Sequence, residues 1–386
     1  MPFETNTIVI ATVVLVILVA VFLYYLGYYI HRHWYYTKIV LPRTKNWVFL
    51  EVQMPKDNSE DKNPQLATNE EAKKNMIAVA EQLFTSLSQI DHEKWFWQPK
   101  DYISFEIACV DKKISFFINC PMHLLSLIEK QLQAQYPHSF VEIIQGYNIF
   151  QSTGEVAAVE LRPTRQYMFP IRTYKYMETD PLNSLTNAMS KLGEGEGAAI
   201  QLIISPTDTH WQHKPRHMAL EIQQGKNPDK VVKSTGARVA SEAFLTLKES
   251  TVGRHEPNTV GRHHQDLTGM YSPINLTPMQ QEMVKKFEEK ASRPGYRTNI
   301  RIVTTSTTPG SAQLNLNSIV SSFLQYNMPP FNGFRLKKRK KEKIIKDSIF
   351  RIYRGYGRKA ILNTEELASI WHLPTPFLET PNIKWL

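Results

Sequence analysis

The pattern of apolar and polar positions divides the chain into an apolar first segment and a longer region of short periodic runs. Residues 7–30 contain no charged residue and are rich in Val, Ile and Leu. A helix needs about 20 apolar residues to cross the hydrocarbon core of a bilayer, so this segment predicts a transmembrane helix. Only Glu4 is charged before it, whereas Arg32, Lys38 and Arg43 follow it. The positive-inside tendency then places the N-terminus outside and the bulk of the chain in the cytoplasm.

Two other interpretations of this apolar segment remain open. A cleaved signal peptide carries positive charge before its apolar run and small residues after it, and here that order is reversed. A buried core helix is usually shorter and amphipathic. A retained single-span anchor is therefore the preferred prediction.

Strand and helix patterns follow the anchor in an order that is typical of one fold. Over residues 46–150 they predict strand, helix, strand, strand, helix, strand. This is the split βαβ order of ferredoxin-like domains, in which helices cover one face of an antiparallel sheet. The clearest signals are a helix capped by Asn69 and a pair of strands separated by Asp111 and Lys112.

The same order is predicted a second time over residues 155–340, with a long insertion at 207–276. The insertion is polar, rich in His, Gly and Arg, and predicts one helix at 233–248. The next helix is predicted over 278–291, with Thr277 as its cap. The predicted fold class is thus α+β, a transmembrane helix followed by two ferredoxin-like α/β sandwiches, the second with an insertion.

Charge adds a candidate contact surface to this picture. The formal net charge is +10 and the isoelectric point is about 9.3, which favours acidic partners. A dense basic block over 335–343 attracts phosphates of DNA or anionic lipid, and Tyr353 and Tyr356 alternate with arginines as on a nucleotide-stacking surface. A solvated connector between domains is the structural alternative. The candidate contact residues are Arg335, Lys337, Lys338, Arg339, Lys340, Lys341, Lys343, Arg351, Arg354 and Arg358.

Residues 341–386 are predicted to form a basic connector and a C-terminal docking tail. Asn363 and the residues after it open a short helix, and a Pro-rich extended segment follows and ends on apolar residues. Such a tail is typical of a linker or docking strand. Its candidate docking residues are Trp371, Leu373, Ile383, Trp385 and Leu386.

Glycine patterns give no phosphate-binding loop. The glycines of 193–197 follow a predicted helix and precede a strand, whereas a phosphate loop needs glycines followed by Lys and Ser or Thr at a helix N-terminus. The glycines of 355–359 also lack this spacing. The sequence therefore predicts no P-loop ATPase activity, no catalytic residue and no cofactor.

Histidines of the insertion give the alternative enzyme hypothesis. His210, His213 and His217 have a spacing that one helix face can present, which leaves a metal-dependent hydrolase open, although Pro215 interrupts a regular helix. No H-E-x-x-H motif is present, and solvated loop histidines are the simpler interpretation. The remaining histidines of this kind are His255, His263 and His264.

The two cysteines, Cys109 and Cys120, lie in apolar runs that predict strands. Two thiols make no disulfide framework. We expect both to be buried as small apolar side chains.

Several segments together resemble the N-terminal, membrane-anchored half of conjugative-transfer ATPases of the type IV secretion class from bacteria of the candidate phyla. They are the anchor, the strand 47–52 with its polar loop, the segment 202–206 before the His- and Arg-rich insertion, and the tail from 362 to 386. In such relatives the tail leads into a P-loop motor domain. This chain stops there, so the resemblance carries over no catalytic residue and implies a separate motor ATPase.

The sequence-based hypothesis is a non-enzymatic, single-pass protein of a bacterial inner membrane that acts as a scaffold. It would recruit a separate P-loop ATPase of a DNA or protein translocation system, with the basic block and the tail as contact surfaces. Its possible partners include the membrane itself, DNA and a second copy of the chain. The alternatives are the metal-dependent hydrolase and a nucleic-acid-binding membrane tether without a motor.

Overall fold

The structure of the chain is a computed structural model in which the placement of most residues is defined. Within the first helix, residues 2–35, the side chains are described at 14–30, 33 and 34. The described residues are 2–35, 46–56, 70–90, 100–151, 153–228, 231, 275–355 and 360–386.

The first helix, α1, spans Pro2–Tyr35. Among the described residues, no helix is long and apolar enough to cross a bilayer. The predicted transmembrane helix at 7–30 is therefore wrong. The single-pass inner-membrane location and the orientation across a bilayer are wrong with it. The membrane as a partner stays a prediction.

Nine strands within the described ranges form one antiparallel sheet. They are β1 (Trp47–Gln53), β2 (Ile103–Val110), β3 (Lys113–Pro121), β4 (Phe140–Ile144), β5 (Glu155–Pro163), β6 (Glu196–Pro206), β7 (Gly295–Ser306), β8 (Phe334–Lys337) and β9 (Ile361–Asn363). The α+β class is what the structure shows.

The helices that accompany this sheet alternate with its strands along the chain. They are α2 (Glu70–Leu87), α3 (Leu125–Gln135), α4 (Pro181–Ser190), α5 (His213–Gln223), α6 (Pro278–Ala291), α7 (Ser311–Ser322), α8 (Lys341–Ile349) and α9 (Thr364–Ile370).

The strand order is β4-β1-β3-β2-β6-β7-β5-β8, with β9 paired to β7. The first four strands follow the split βαβ order, and the next four follow the same order in reverse. The two halves are joined by seven residue pairs between β2 and β6, from Ile103 opposite Ile204 to Cys109 opposite Ala198. The two halves therefore share one continuous sheet, because the outer strand of each half pairs with the other. This pairing removes two open sheet edges.

Local sequence explains several of these elements. Asp111 and Lys112 have φ values of 49° and 65°, the left-handed conformation that a two-residue hairpin turn between β2 and β3 requires. The helix α6 has the predicted bounds, and Thr277 caps it in a reciprocal arrangement with Gln280. Asn363 and Glu366 form the same capping box at α9.

The two faces of the sheet are covered differently. The main apolar core lies on one face, where residues of α2, α3, α4, α7 and α9 pack on the strands. The opposite face carries smaller apolar clusters and is covered in part by Tyr147, Ile149 and Tyr353. α8 lies near β5 and β7.

Helices α5 and α6 form a separate pair with its own apolar cluster, which includes Met218, Ile222 and Phe287. The sequence predicts no helix at α5 because Pro215 interrupts the pattern. In the structure Pro215 lies in the first turn of α5, where a missing backbone N–H costs no helical hydrogen bond. The helix predicted at 233–248 lies outside the described residues.

Candidate interaction surface

A row of mostly polar residues crosses the second face of the sheet from one edge to the other. Strand register places one residue of each of the eight strands β1 to β8 in this row, so that neighbours along it are direct cross-strand partners. The row is Glu142, Glu51, Phe117, Glu106, Gln201, Arg301, Glu160 and Lys337. Its three central charged residues, Glu106, Arg301 and Glu160, are fully buried. Buried charges need partners, and these come from the segment between β8 and β9.

Arg351 supplies the partner of Glu106. Its Nε and Nη2 donate to the two carboxylate oxygens at 2.9 and 3.0 Å, and its guanidinium lies 4.4 Å from the ring centre of Phe49. Burial alone would lower the pKa of Arg351, but Glu106 and the hydroxyl of Tyr147 raise it. Arg351 has a φ of 48°, so its backbone adopts the left-handed conformation while its side chain makes these contacts. This two-point contact fixes the segment after α8 on the sheet.

Asp347 is the second fixed point of this segment. Its carboxylate accepts hydrogen bonds from Arg339 Nη2 at 2.6 Å and from Arg354 Nη2 at 2.7 Å. Burial alone would raise the pKa of Asp347. The hydrogen bond from Arg354, the charge of Arg301 and the hydrogen bond from Arg339 outweigh that effect and hold the pKa below its usual value.

Glu160 completes the buried set at the edge of the sheet. It accepts from Lys337 Nζ at 3.2 Å and from Arg339 Nη1 at 2.9 Å. Arg339 therefore joins Glu160 on β5 to Asp347 on α8. Among the described residues, the three buried carboxylates lie close to five cations. The five are Lys337, Arg339, Arg301, Arg351 and Arg354.

The predicted basic block consequently divides into two groups. Lys337, Arg339, Arg351 and Arg354 point to buried carboxylates and act as internal supports. The others are exposed along β8 and the start of α8, and we call them the basic edge. The basic edge consists of Arg335, Lys338, Lys340, Lys341 and Lys343. Arg358 lies outside the described residues.

The predicted nucleotide-stacking tyrosines do not form an exposed platform in the described part of the chain. The ring of Tyr353 packs on Tyr102 with 5.4 Å between ring centres, and Tyr102 packs in turn on Trp47 at 5.0 Å. Burial raises the pKa of Tyr353, and its hydroxyl is enclosed. Tyr356 lies outside the described residues.

The predicted docking tail is for the most part inside the molecule. Trp371 is 1% exposed, and its ring packs edge-on against Phe84, Phe105 and Phe116. Leu373 is buried in the same core. Further along the tail, Ile383 is buried beside Ile114, Trp385 is partly buried and Leu386 is 65% exposed.

Buried polar contacts also hold the tail in place. Lys290 Nζ lies 2.6 Å from Glu366 Oε2, and both side chains are 1% exposed. His372 Nε2 and Asp180 Oδ1 are 3.0 Å apart and also buried. Burial would raise the pKa of Asp180, but His372, the N–H of Leu182 and Thr375 lower it overall. These contacts are part of the fold. The side chains of Trp371 and Leu373 are therefore covered by other residues of this chain.

The histidines of the insertion are only in part described. His210 and His213 lie near each other, with 5.1 Å between ring centres, and His217 Nδ1 is 3.5 Å from Glu221. Within the described ranges, no group of three or more His, Cys, Asp or Glu side chains could hold a metal ion. His255, His263 and His264 lie outside those ranges.

An open groove of about 800 Å³ follows the outer side of α2. Its central carboxylate, Glu81, accepts from the hydroxyl of Tyr174 at 3.1 Å and lies 3.9 Å from Lys175 Nζ. Lys175 also contacts Glu365 at 3.0 Å. These side chains link α2 to α9, and no residue of the predicted contact surfaces lines the groove.

Both cysteines are buried in the sheet, as their apolar surroundings predict. Burial raises the pKa of Cys109 to about 11 and that of Cys120 to about 12. Neither thiol is therefore ionised near neutral pH, which suits a packing role.

The residues that sequence reasoning missed are the buried carboxylates Glu106, Glu160 and Asp347. Glu106 is the single acid of β2, and Glu160 lies among apolar residues inside β5. That isolated position is a usable signal, because a charge in a buried strand needs a partner elsewhere in the chain. The sequence could not show which arginine supplies it.

Comparison with known proteins gives a family but no activity. The family described as a domain of unknown function (DUF8128) matches residues 51–386. No curated protein matches the chain. Neither finding links the chain to type IV secretion or conjugation, so nothing supports these two parts of the sequence-based hypothesis. The family match covers most of the chain, which therefore belongs to this family.

Proposed function

We propose, for this member of the DUF8128 family, a non-enzymatic docking role in which the basic edge binds an acidic surface of a partner protein. The partner expected from the sequence is a separate P-loop ATPase. The observation that carries the proposal is the division of the basic block into buried supports and exposed contacts. Arg339, Arg351 and Arg354 are held by buried carboxylates, so the backbone that presents the basic edge is fixed before a partner arrives.

The surroundings of the basic edge favour a protein over a nucleic acid. A non-specific nucleic-acid surface combines cations with exposed aromatic rings, whereas Tyr353 packs inward on Tyr102. The exposed apolar residue between these cations on β8 is Leu336, at 57% exposure. Apolar side chains beside a charged rim are typical of a protein interface.

The test compares two charge-reversal variants of the full chain. One carries Lys338→Glu, Lys340→Glu and Lys341→Glu in the basic edge. The control carries Lys130→Glu, Lys191→Glu and Lys285→Glu, which are exposed elsewhere and change the net charge equally. Each tagged protein is expressed in its native cells, and P-loop ATPases recovered after chemical cross-linking are quantified.

We expect a P-loop ATPase with the wild-type chain and the control variant, and a loss of at least tenfold with the basic-edge variant. Equal recovery with both variants would exclude the basic edge as the contact surface. Binding of single-stranded DNA, measured by fluorescence anisotropy at several salt concentrations, serves as the competing assay. DNA affinity that falls steeply with salt and disappears only in the basic-edge variant would favour the nucleic-acid-binding alternative.

A further inference from the structure

The outermost strand of the sheet, β8, pairs with β5 on one side. Phe334 lies opposite Pro163, which has no backbone N–H to give. The N–H of Phe334 instead donates to Asn327 Oδ1 at 3.2 Å. The backbone polar groups of Phe334 therefore face away from β5.

Antiparallel pairing then fixes the direction of the next residues. Backbone groups alternate along a strand, so those of Leu336 point the same way as those of Phe334, out from the sheet. The side chain of Leu336 is 57% exposed. The flanking residues Arg335 and Lys337 direct their backbone groups to β5. In the part of the chain that the structure describes, no strand pairs with the outer side of β8, so Leu336 presents one N–H and one C=O at an open edge.

The charges around Leu336 determine which kind of strand can pair with this edge of β8. Arg335, Lys338 and Lys340 are exposed around Leu336. A second copy of β8 would bring like charges together and is repelled. An acidic strand meets complementary charge along its length.

We propose that an acidic, extended peptide segment of a partner protein adds to β8 as a further strand. Its main chain exchanges hydrogen bonds with the N–H and C=O of Leu336, and its carboxylates contact Arg335, Lys338 and Lys340. Strand addition of this kind takes affinity from main-chain hydrogen bonds and specificity from side chains. The inference rests on the proposed docking function and names the chemistry of the contact.

The test uses Leu336→Pro and Leu336→Ala in the full chain, with a fluorescein-labelled ten-residue peptide that alternates Glu with Val. Proline removes the outward N–H, and an edge strand tolerates it there because that N–H serves no internal hydrogen bond. Alanine keeps the N–H and removes the same apolar contact. Thermal unfolding of both variants shows whether each is folded.

We expect the acidic peptide to bind the wild-type chain and Leu336→Ala with similar affinity, and Leu336→Pro about tenfold more weakly. A peptide with Lys in place of Glu should not bind. Equal binding to the Pro and Ala variants, together with loss in the Lys338, Lys340 and Lys341 variant, would overturn strand addition while the docking function stands. Absence of binding to the wild-type chain would also overturn the inference.

Hydrogen exchange of the wild-type chain gives a second measurement that needs no variant. The amide of Leu336 should exchange fast without peptide and become protected when the acidic peptide is present. The amides of Arg335 and Lys337, which face β5, should be slow in both states. A Leu336 amide that stays fast at saturating peptide would contradict main-chain pairing, even if Leu336→Pro fails to fold.

Discussion

The basic edge and the C-terminal tail are held by the same kinds of contact but end at opposite degrees of exposure. Buried carboxylates fix the arginines beneath the basic edge, and its outer lysines remain exposed. In the tail, buried ion pairs and Trp371 lock the segment against the helices, and most of its apolar side chains are enclosed. The comparison shows that a buried polar network can hold an exposed contact surface in place or can hold a segment inside the fold. Removal of tail residues should therefore affect folding first, and removal of basic-edge residues should affect binding first.

Trp371→Ala should give the largest effect on stability. The ring fills the centre of the main core, so we expect a loss of about 4 kcal/mol in the free energy of unfolding. Denaturant unfolding followed by circular dichroism measures it. Leu386→Ala is the control at the exposed end of the same tail and should change stability by under about 0.5 kcal/mol. Similar small losses for both variants would mean that the tail is not part of the core.

Glu106→Gln should cause the second largest loss of stability. It leaves the guanidinium of Arg351 buried without its carboxylate, at a cost of about 3 kcal/mol. Adding Arg351→Met should recover part of the loss, because the unpaired charge is then gone. Unfolding free energies of the two single variants and the double variant give the coupling. If the losses of unfolding free energy in the two single variants simply add up in the double variant, the Glu106–Arg351 pair does not stabilise the segment beneath the basic edge.

Asp347→Asn should change the acid limb of the stability curve. The pKa of Asp347 is lowered in the folded chain, so its stabilising contribution is complete above the unfolded value of about 3.9. It is lost as pH falls through the folded pKa. We expect the variant to be about 2 kcal/mol less stable at pH 7 and to lose less stability than the wild type below pH 4. Parallel curves for the two proteins would show that Asp347 is not ionised and paired in the fold.

The basic-edge variant with Lys338→Glu, Lys340→Glu and Lys341→Glu should give the smallest change in stability. Its side chains are exposed, so we expect a change of under about 1 kcal/mol in total. Denaturant unfolding at 0.15 M salt checks this value. A loss comparable to that of Glu106→Gln would place these lysines among the structural supports rather than on a contact surface.

Periodicity predicted much of the local structure, since it depends on residues near in sequence. The helix at 278–291 and the hairpin turn at Asp111 and Lys112 are examples. The joining of β2 to β6 depends on contacts between distant segments, and no local pattern encodes it. The pairing of Glu106 with Arg351 is long-range for the same reason.

Exposure was the property that the sequence predicted least well. Trp371 and Leu373 lie in a short helix and Pro-rich segment that looked like a free tail, yet the core encloses them. The apolar composition of 7–30 likewise led to a membrane span, and the described part of α1 does not support it. An apolar pattern shows that a segment tends to avoid water, but it does not show what covers the segment.

Site-specific photo-cross-linking tests the division between the basic edge and the tail most directly. A photoreactive amino acid is placed at Lys340 in one full-length protein and at Leu386 in another, both exposed positions. The cross-linked partner proteins are then compared in native cells. We predict that a P-loop ATPase cross-links from position 340 and not from 386. Cross-linking of that ATPase from position 386 alone would contradict contact at the basic edge and would indicate that the tail is the contact surface.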